Sequence, residues 1–197
     1  MTKKLHYFSG LTIALFVGVH LTNHLMLLGG TEAHLSFMEI ARTVYRNRFV
    51  ELLLLLAVFL QILSGIQLLR SKRKDLNTIY DKLHLYSGLY LSFFLLIHVG
   101  AVLSGRLYAG IDTNLYFGAA GLNTFPHLLF FVPYYSLSVI AFFTHVACIH
   151  RVKMMRFSNQ PVAVNFQTKV IMWIGGIIAL VILIGMMQVE IPSEYQL

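Results

Sequence analysis

Five stretches of this chain contain no Asp, Glu, Lys or Arg: residues 7–29, 52–69, 83–105, 127–150 and 170–189. Each reaches or approaches the roughly 18–25 residues that a helix, rising about 1.5 Å per residue, needs to cross about 30 Å of hydrocarbon. Lipid offers the backbone no hydrogen-bond partners, so runs of this kind must satisfy their own amides as helices. The sequence therefore predicts an all-α membrane protein with five transmembrane helices, forming a single transmembrane domain over residues 1–197. A composition of 57% hydrophobic and 12% charged residues agrees, since soluble domains carry about 25% charge. A signal peptide is the competing reading of the first run, but no small-residue cleavage site accompanies it and four further spans follow.

The formal net charge of +7 is a topology signal before it is a partner signal. Eleven basic residues fall on one side: Lys3, Lys4, Arg70, Lys72, Arg73, Lys74, Lys82, Arg151, Lys153, Arg156 and Lys169. The other side has Arg42, Arg46, Arg48 and Arg106, together with the acidic tail "VEIPSEYQL". The positive-inside rule puts the N-terminus in the cytoplasm and the C-terminus outside. This distribution accounts for the charge without nucleic acid, and it suits anionic lipid or an acidic partner on the inner face. The lone Cys148 excludes an intramolecular disulfide, a C-x-x-C-H haem attachment and a C-x-x-C metal or redox motif. It reads as a small buried apolar residue.

Between the first two spans, "TEAHLSFMEIARTVYRNR" sets Leu35, Met38, Ile40 and Ala41 among polar residues, which suits an amphipathic helix on the outer surface. "RLYAGIDTNLYFGAAGLNTFP" is an outer loop suited to form a lid, and "SKRKDLNTIYDK" is a cytoplasmic loop. The first and third spans share a repeat. "KLHYFSGL" at residues 4–11 and "KLHLYSGL" at residues 82–89 agree at six of eight positions, and a second histidine follows each first one by fourteen residues: His6 leads to His20, and His84 to His98.

Fourteen helical residues climb about 21 Å. With His6 and His84 at the inner boundary, His20 and His98 come to one height in the outer half. Ionisable side chains at such depth are functional candidates. Two imidazoles level with each other on parallel helices suit axial ligation of a flat metal macrocycle, as in haem proteins. Ser9–Gly10, Gly18, Ser87–Gly88 and Gly100 would clear space for it, although small residues also serve plain helix packing. His145 lies about 9 Å from the inner boundary and Gln61 about 13 Å. His145 is thus about 10 Å too low to share a macrocycle with the outer pair, but Gln61 and His145 could face each other in the inner half. His24 lies one turn beyond His20 and has no counterpart in the repeat, because Val102 takes that place. It reads as a hydrogen-bond donor to a propionate, a quinone or water, or as a boundary residue. Ser9, Ser87, His6 and His84 read as surroundings of the macrocycle, with His6 and His84 capping propionates or acting structurally. His34, His127 and His150 read as interfacial.

The segments "KKLHYFSGLTIALFVGVHLTNHL", "HLSFMEIARTVYRNRFVE", "FLQILSGI", "LHLYSGLYLSFFLLIHV" and "IAFFTHV", in this order and spacing, resemble the cytochrome b membrane-anchor subunit of succinate dehydrogenases and fumarate reductases, in its single-chain five-helix form. The likeness covers most of the chain. It implies a haem-binding bundle made by four of the five helices. The first and third helices hold an outer b haem through His20 and His98, and the second and fourth hold an inner one. His145 matches the fourth-helix ligand, whereas Gln61 stands where the second-helix histidine is expected. Glutamine is a poor iron ligand, so the inner haem is absent, five-coordinate on His145, or ligated from elsewhere, and one haem is expected before two. The resemblance also implies flavoprotein and iron–sulfur subunits on the cytoplasmic side of a bacterial-type inner membrane, and a quinone, usually menaquinone. Glu51 would carry protons for that quinone, or else pair with Arg48.

The chain has no dicarboxylate site, flavin fingerprint or iron–sulfur cysteines of its own, so succinate or fumarate chemistry would belong to partners. Two rivals stay open: a haem-free structural anchor or transport protein that uses buried histidines as polar glue, and a stand-alone haem b membrane protein.

Overall fold

The computed structural model describes residues 1–72 and 76–196. Arg73 and Lys74, two of the inner-side basic residues, lie outside the described residues. The chain is 84% helical, with no strand among the described residues. The five spanning helices are α1 (Thr2–Leu25), α3 (Arg48–Lys72), α4 (Ile79–Leu107), α6 (Leu128–Phe157) and α7 (Pro161–Met187), and two short ones, α2 (Thr31–Tyr45) and α5 (Leu115–Ala120), lie between them. All five long helices are apolar enough to cross a membrane. They outrun the charge-free stretches because helix signals sit in the charged flanks. Thr78 and Asp81 form a reciprocal capping box at the start of α4, and Pro161 opens α7 at its first turn, where its missing N–H costs nothing.

The five helices close into a ring. α3 packs against α1 and α4, α6 against α4 and α7, and α7 returns to α1. α7 fills the gap between α6 and α1. A Cβ at Gly175 would lie 2.3 Å from Phe143 Cβ, so only glycine lets α7 seat against α6 there. Outward faces carry Leu15, Phe59, Leu96 and Trp173, all exposed, as a lipid-facing surface requires.

The two ends of the ring differ. At the outer end, Leu115, Ala119 and Leu122 of the α5 region pack on Ile182, Met186 and Val189 to make the buried apolar core. Asn123 Nδ2 donates to the Met186 carbonyl at 2.9 Å and closes the end of α7. α2 lies alongside, but not on its apolar side. Its buried residues are His34, Met38 and Arg42, while Ile40 and Val44 are exposed. The reason is electrostatic: Arg42 forms a two-pronged pair with Asp112, at 2.9 and 3.1 Å, after the end of α4. Arg46 joins the same carboxylate at 3.3 Å, and the Tyr195 hydroxyl donates to the Asp112 carbonyl at 3.2 Å. Polar contacts thus decide which face α2 buries. Cys148 is buried, as expected.

Candidate functional site

The ring surrounds a partly open cavity of about 1240 Å³, larger than the roughly 300–1,000 Å³ that holds one small ligand. It runs from Lys3, His6, His84 and Arg156 at the inner end to Arg46, Glu51 and Arg106 at the outer end. Thr113, Asn114, Phe117 and Leu122 of the outer loop line it as well. α7 adds Ala179, Ile182, Leu183 and Met186 at the outer half only.

The repeat builds this cavity at two levels. On the outer level, the rings of His20 and His98 face across it with centres 6.1 Å apart. Two imidazoles that hold one metal from opposite sides, each at about 2 Å through a nitrogen, bring their ring centres to about 6 Å. Three other histidine pairs stand closer together. His20–His24 stand at 4.7 Å, His24–His34 at 5.3 Å and His84–His145 at 4.5 Å. Each outer histidine stacks on a phenylalanine one turn below: Phe16 on His20 at 5.7 Å and Phe94 on His98 at 4.9 Å. Phe16 and Phe94 correspond in the repeat, so the likeness of α1 and α4 extends past the eight-residue motif. Attention to histidines alone passes over this pair.

The inner level lies eleven residues lower on both helices, about 16 Å down. There the Ser–Gly steps of the two motifs each cradle a side chain from the neighbouring helix. Ser9 Oγ donates to Gln61 Oε1 at 2.6 Å, and a Cβ at Gly10 would stand 3.2 Å from Gln61 Nε2. Ser87 Oγ meets His145 Nδ1 at 3.3 Å, and a Cβ at Gly88 would stand 3.0 Å from His145 Cε1. Gln61 and His145 are therefore equivalent positions, on the same level. This explains why K-L-H-x-x-S-G-L is written twice. By contrast, Gly18 and Gly100 are exposed and do not line the cavity, so these two glycines face away from any macrocycle held there.

The leading histidines of the motifs also touch the inner pair. His6 Nε2 accepts from Gln61 Nε2 at 3.2 Å, and His6 Nδ1 lies 3.0 Å from Ser64 Oγ. The His84 carbonyl accepts from His145 Nδ1 at 3.3 Å. A histidine whose Nδ1–H is spent on a backbone carbonyl presents Nε2, which is how ligating histidines are oriented. His6 and His84 thus act on the inner side chains.

Two placements differ from the sequence reading. His34 is not interfacial: it is 1% exposed, its ring stands against His24, and neither of its nitrogens has a hydrogen-bond partner among the described residues. Burial, with lesser contributions from His20 and Arg42, holds its pKa down at about 4, so it is neutral at pH 7. Its alternation with Met38 and Arg42 at four-residue steps was the available signal. Glu51 pairs with Arg106 rather than Arg48, because α3 and α4 are neighbours and bring these two residues together at the outer end.

Among the described residues, no group of three or more His, Cys, Asp or Glu side chains could hold a bare metal ion. A haem asks less, since its macrocycle occupies four positions and leaves two to the protein. The His20–His98 spacing meets that demand. No protein-family model, curated protein or solved structure matches this chain. The fold is all-helical among the described residues, with five helices long and apolar enough to cross a membrane.

Proposed function

We propose that the chain is a haem b cytochrome that anchors a succinate dehydrogenase- or fumarate reductase-like flavoprotein and iron–sulfur pair to a bacterial cytoplasmic membrane and exchanges electrons with a quinone, menaquinone by resemblance. The observation that carries this reading is the His20–His98 pair, with ring centres 6.1 Å apart at equivalent places of the repeat. Bound haem would supply one-electron transfer between the soluble subunits and the quinone. The chain's own residues do the rest. Phe16 and Phe94 steady the two imidazoles, and the outer loop and α5 cover the cavity end beside them. Glu51, which lines that end and is paired with Arg106, is the group that would take or give a proton to the quinone. A bundle that served only as a haem-free anchor would pack to the density of other protein interiors, and a cavity of this size weighs against that rival.

The test is the haem-to-protein ratio of the detergent-purified chain with its reduced-minus-oxidised spectrum. A low-spin b haem is expected, lost completely in His20→Ala and in His98→Ala and largely retained in His145→Ala. Equal loss in all three variants would refute the assignment of the outer level. A chain purified with no haem would leave the twin motifs to packing, and purification without flavoprotein and iron–sulfur subunits would favour a stand-alone haem protein.

A further inference from the structure

The two repeats part company at one place. In the half built by α4 and α6, Ser87 and the His84 carbonyl pin His145 through Nδ1, which leaves Nε2 as the nitrogen to present to the cavity that His145 lines. In the half built by α1 and α3, the same Ser–Gly step holds an amide. Gln61 Oε1 accepts from Ser9, and one Nε2 hydrogen goes to His6. A primary amide carries two N–H hydrogens, which leaves the second for the cavity that Gln61 lines.

We propose that a haem on the inner level is held by His145 alone, and that its opposite axial position, on the Gln61 side, takes a neutral diatomic ligand of the carbon monoxide, nitric oxide or dioxygen class, steadied by the Gln61 amide. The inference rests on the haem reading above. Two other imidazoles of the motifs lie near this level, and neither is placed to take the second position. The His84 ring centre is 4.5 Å from that of His145, too close for a pair on opposite sides of one metal, which needs about 6 Å. His6 is engaged with Ser64 and Gln61. An amide oxygen suits hard ions such as magnesium and calcium better than haem iron. One turn outward along the same four helices the cavity is lined by Ile13, Val58, Leu91 and Phe142. Apolar walls of this kind penalise an anionic ligand and admit a neutral one.

Carbon monoxide is the probe, added to the dithionite-reduced, detergent-purified full chain and read as a difference spectrum. Wild type is expected to show a carbon monoxide-induced Soret shift on part of its haem, while the His20–His98 species stays unmoved. Gln61→His should abolish the shift and add low-spin haem, because a second histidine closes the open position. His145→Ala should lose the responsive haem but keep the outer species, whose low-spin band reports that the variant has folded. Gln61→Leu should keep the shift and release carbon monoxide about tenfold faster, the worth of one hydrogen bond. Haem in wild type with no carbon monoxide response overturns the inference and leaves the outer site standing. A response that survives His145→Ala and disappears in His20→Ala also overturns it, since the opening would then be on the outer level. Wild type without any haem would remove the haem reading itself, and the inference with it.

Discussion

The outer and inner levels of the cavity are built from the same two helical segments, yet they meet different neighbours. On the outer level the repeat supplies both members of the pair, His20 and His98, so its two-fold likeness is preserved. On the inner level the repeat supplies only the cradles, Ser9–Gly10 and Ser87–Gly88, and the occupants come from α3 and α6, which carry no repeat of their own. Symmetry in the cradle therefore does not impose symmetry on what lies in it. A chain of this kind can alter one inner ligand position without disturbing the outer pair, because the two levels share helices but are about 16 Å apart along them.

The largest effect that would sharpen this contrast is expected at the cradles. A side chain at Gly88 would press on His145 Cε1 and Nδ1, at 3.0 and 3.3 Å, and that imidazole is fixed by two hydrogen bonds. A side chain at Gly10 would press on the amide end of Gln61, which can swing away. Gly88→Val should cost about 1–3 kcal/mol, the usual range for overpacking, and Gly10→Val clearly less. Thermal unfolding in detergent gives the comparison, and the low-spin haem proposed for the outer level should persist in both variants. Equal costs would mean that Gln61 is held as rigidly as His145, and the two inner halves would then be mechanically alike.

How much of this was readable beforehand follows from where the information sits. The five spans were legible because lipid imposes a length and an apolarity on every crossing helix. The outer pair was legible because both histidines belong to one repeat, so a count along the chain set their heights. The inner contacts were only partly legible. Depth counted from charged flanks placed Gln61 and His145 in the same half, but which motif residue would cradle which side chain depends on the pairing of α1 with α3 and of α4 with α6. No residue count carries that pairing. Gly18 and Gly100 misled because small size was read as space for a ligand, although they face away from the cavity. His34 misled because histidine on a surface helix ordinarily faces water. Here the Arg42–Asp112 pair turns that side of α2 inward.

A middle-sized effect would test whether the outer level depends on its cover. Burial alone would raise the pKa of Asp112, but hydrogen bonds and charge from Arg42, then Arg46, outweigh it and leave it below the ordinary 3.8. A carboxylate favoured by folding contributes its full stability above that ordinary value, and loses it as pH falls through the lowered one. His34 acts over a higher window. Its folded pKa of about 4 lies below the ordinary 6.5, so the unfolded chain binds the proton first and stability declines as pH drops from 6.5 towards 4. The protection of α2 amides, corrected for the intrinsic pH dependence of exchange, should therefore fall in two stages on acidification. His34→Phe should erase the upper stage and leave the lower one, whereas Arg42→Ala should weaken the cover at neutral pH by about 1–2 kcal/mol, between the values for exposed and buried pairs. Corrected protection in α2 that stays constant between pH 4 and 6.5 would mean that His34 is not held neutral by its burial, and that the polar face of α2 is held by the Arg42–Asp112 pair alone.

The smallest effect is expected where the repeat leaves nothing to disturb. Gly18 lies two residues before His20, and Gly100 two residues after His98, yet a Cβ at either would meet no atom within 4 Å. Alanine favours helix over glycine by up to about 1 kcal/mol, so Gly18→Ala and Gly100→Ala should each keep whatever haem the wild type carries on the proposed reading and raise the unfolding temperature slightly. The comparison with Gly10 and Gly88 is then internal to the same helices: four glycines of one repeat region, of which two form cradles and two do not. If either outward glycine lowered haem content on substitution while the fold survived, the surface beside it would have to be covered by something other than lipid, such as another subunit packed closely against α1 or α4. That outcome would move the small residues near the outer histidines from helix propensity to assembly.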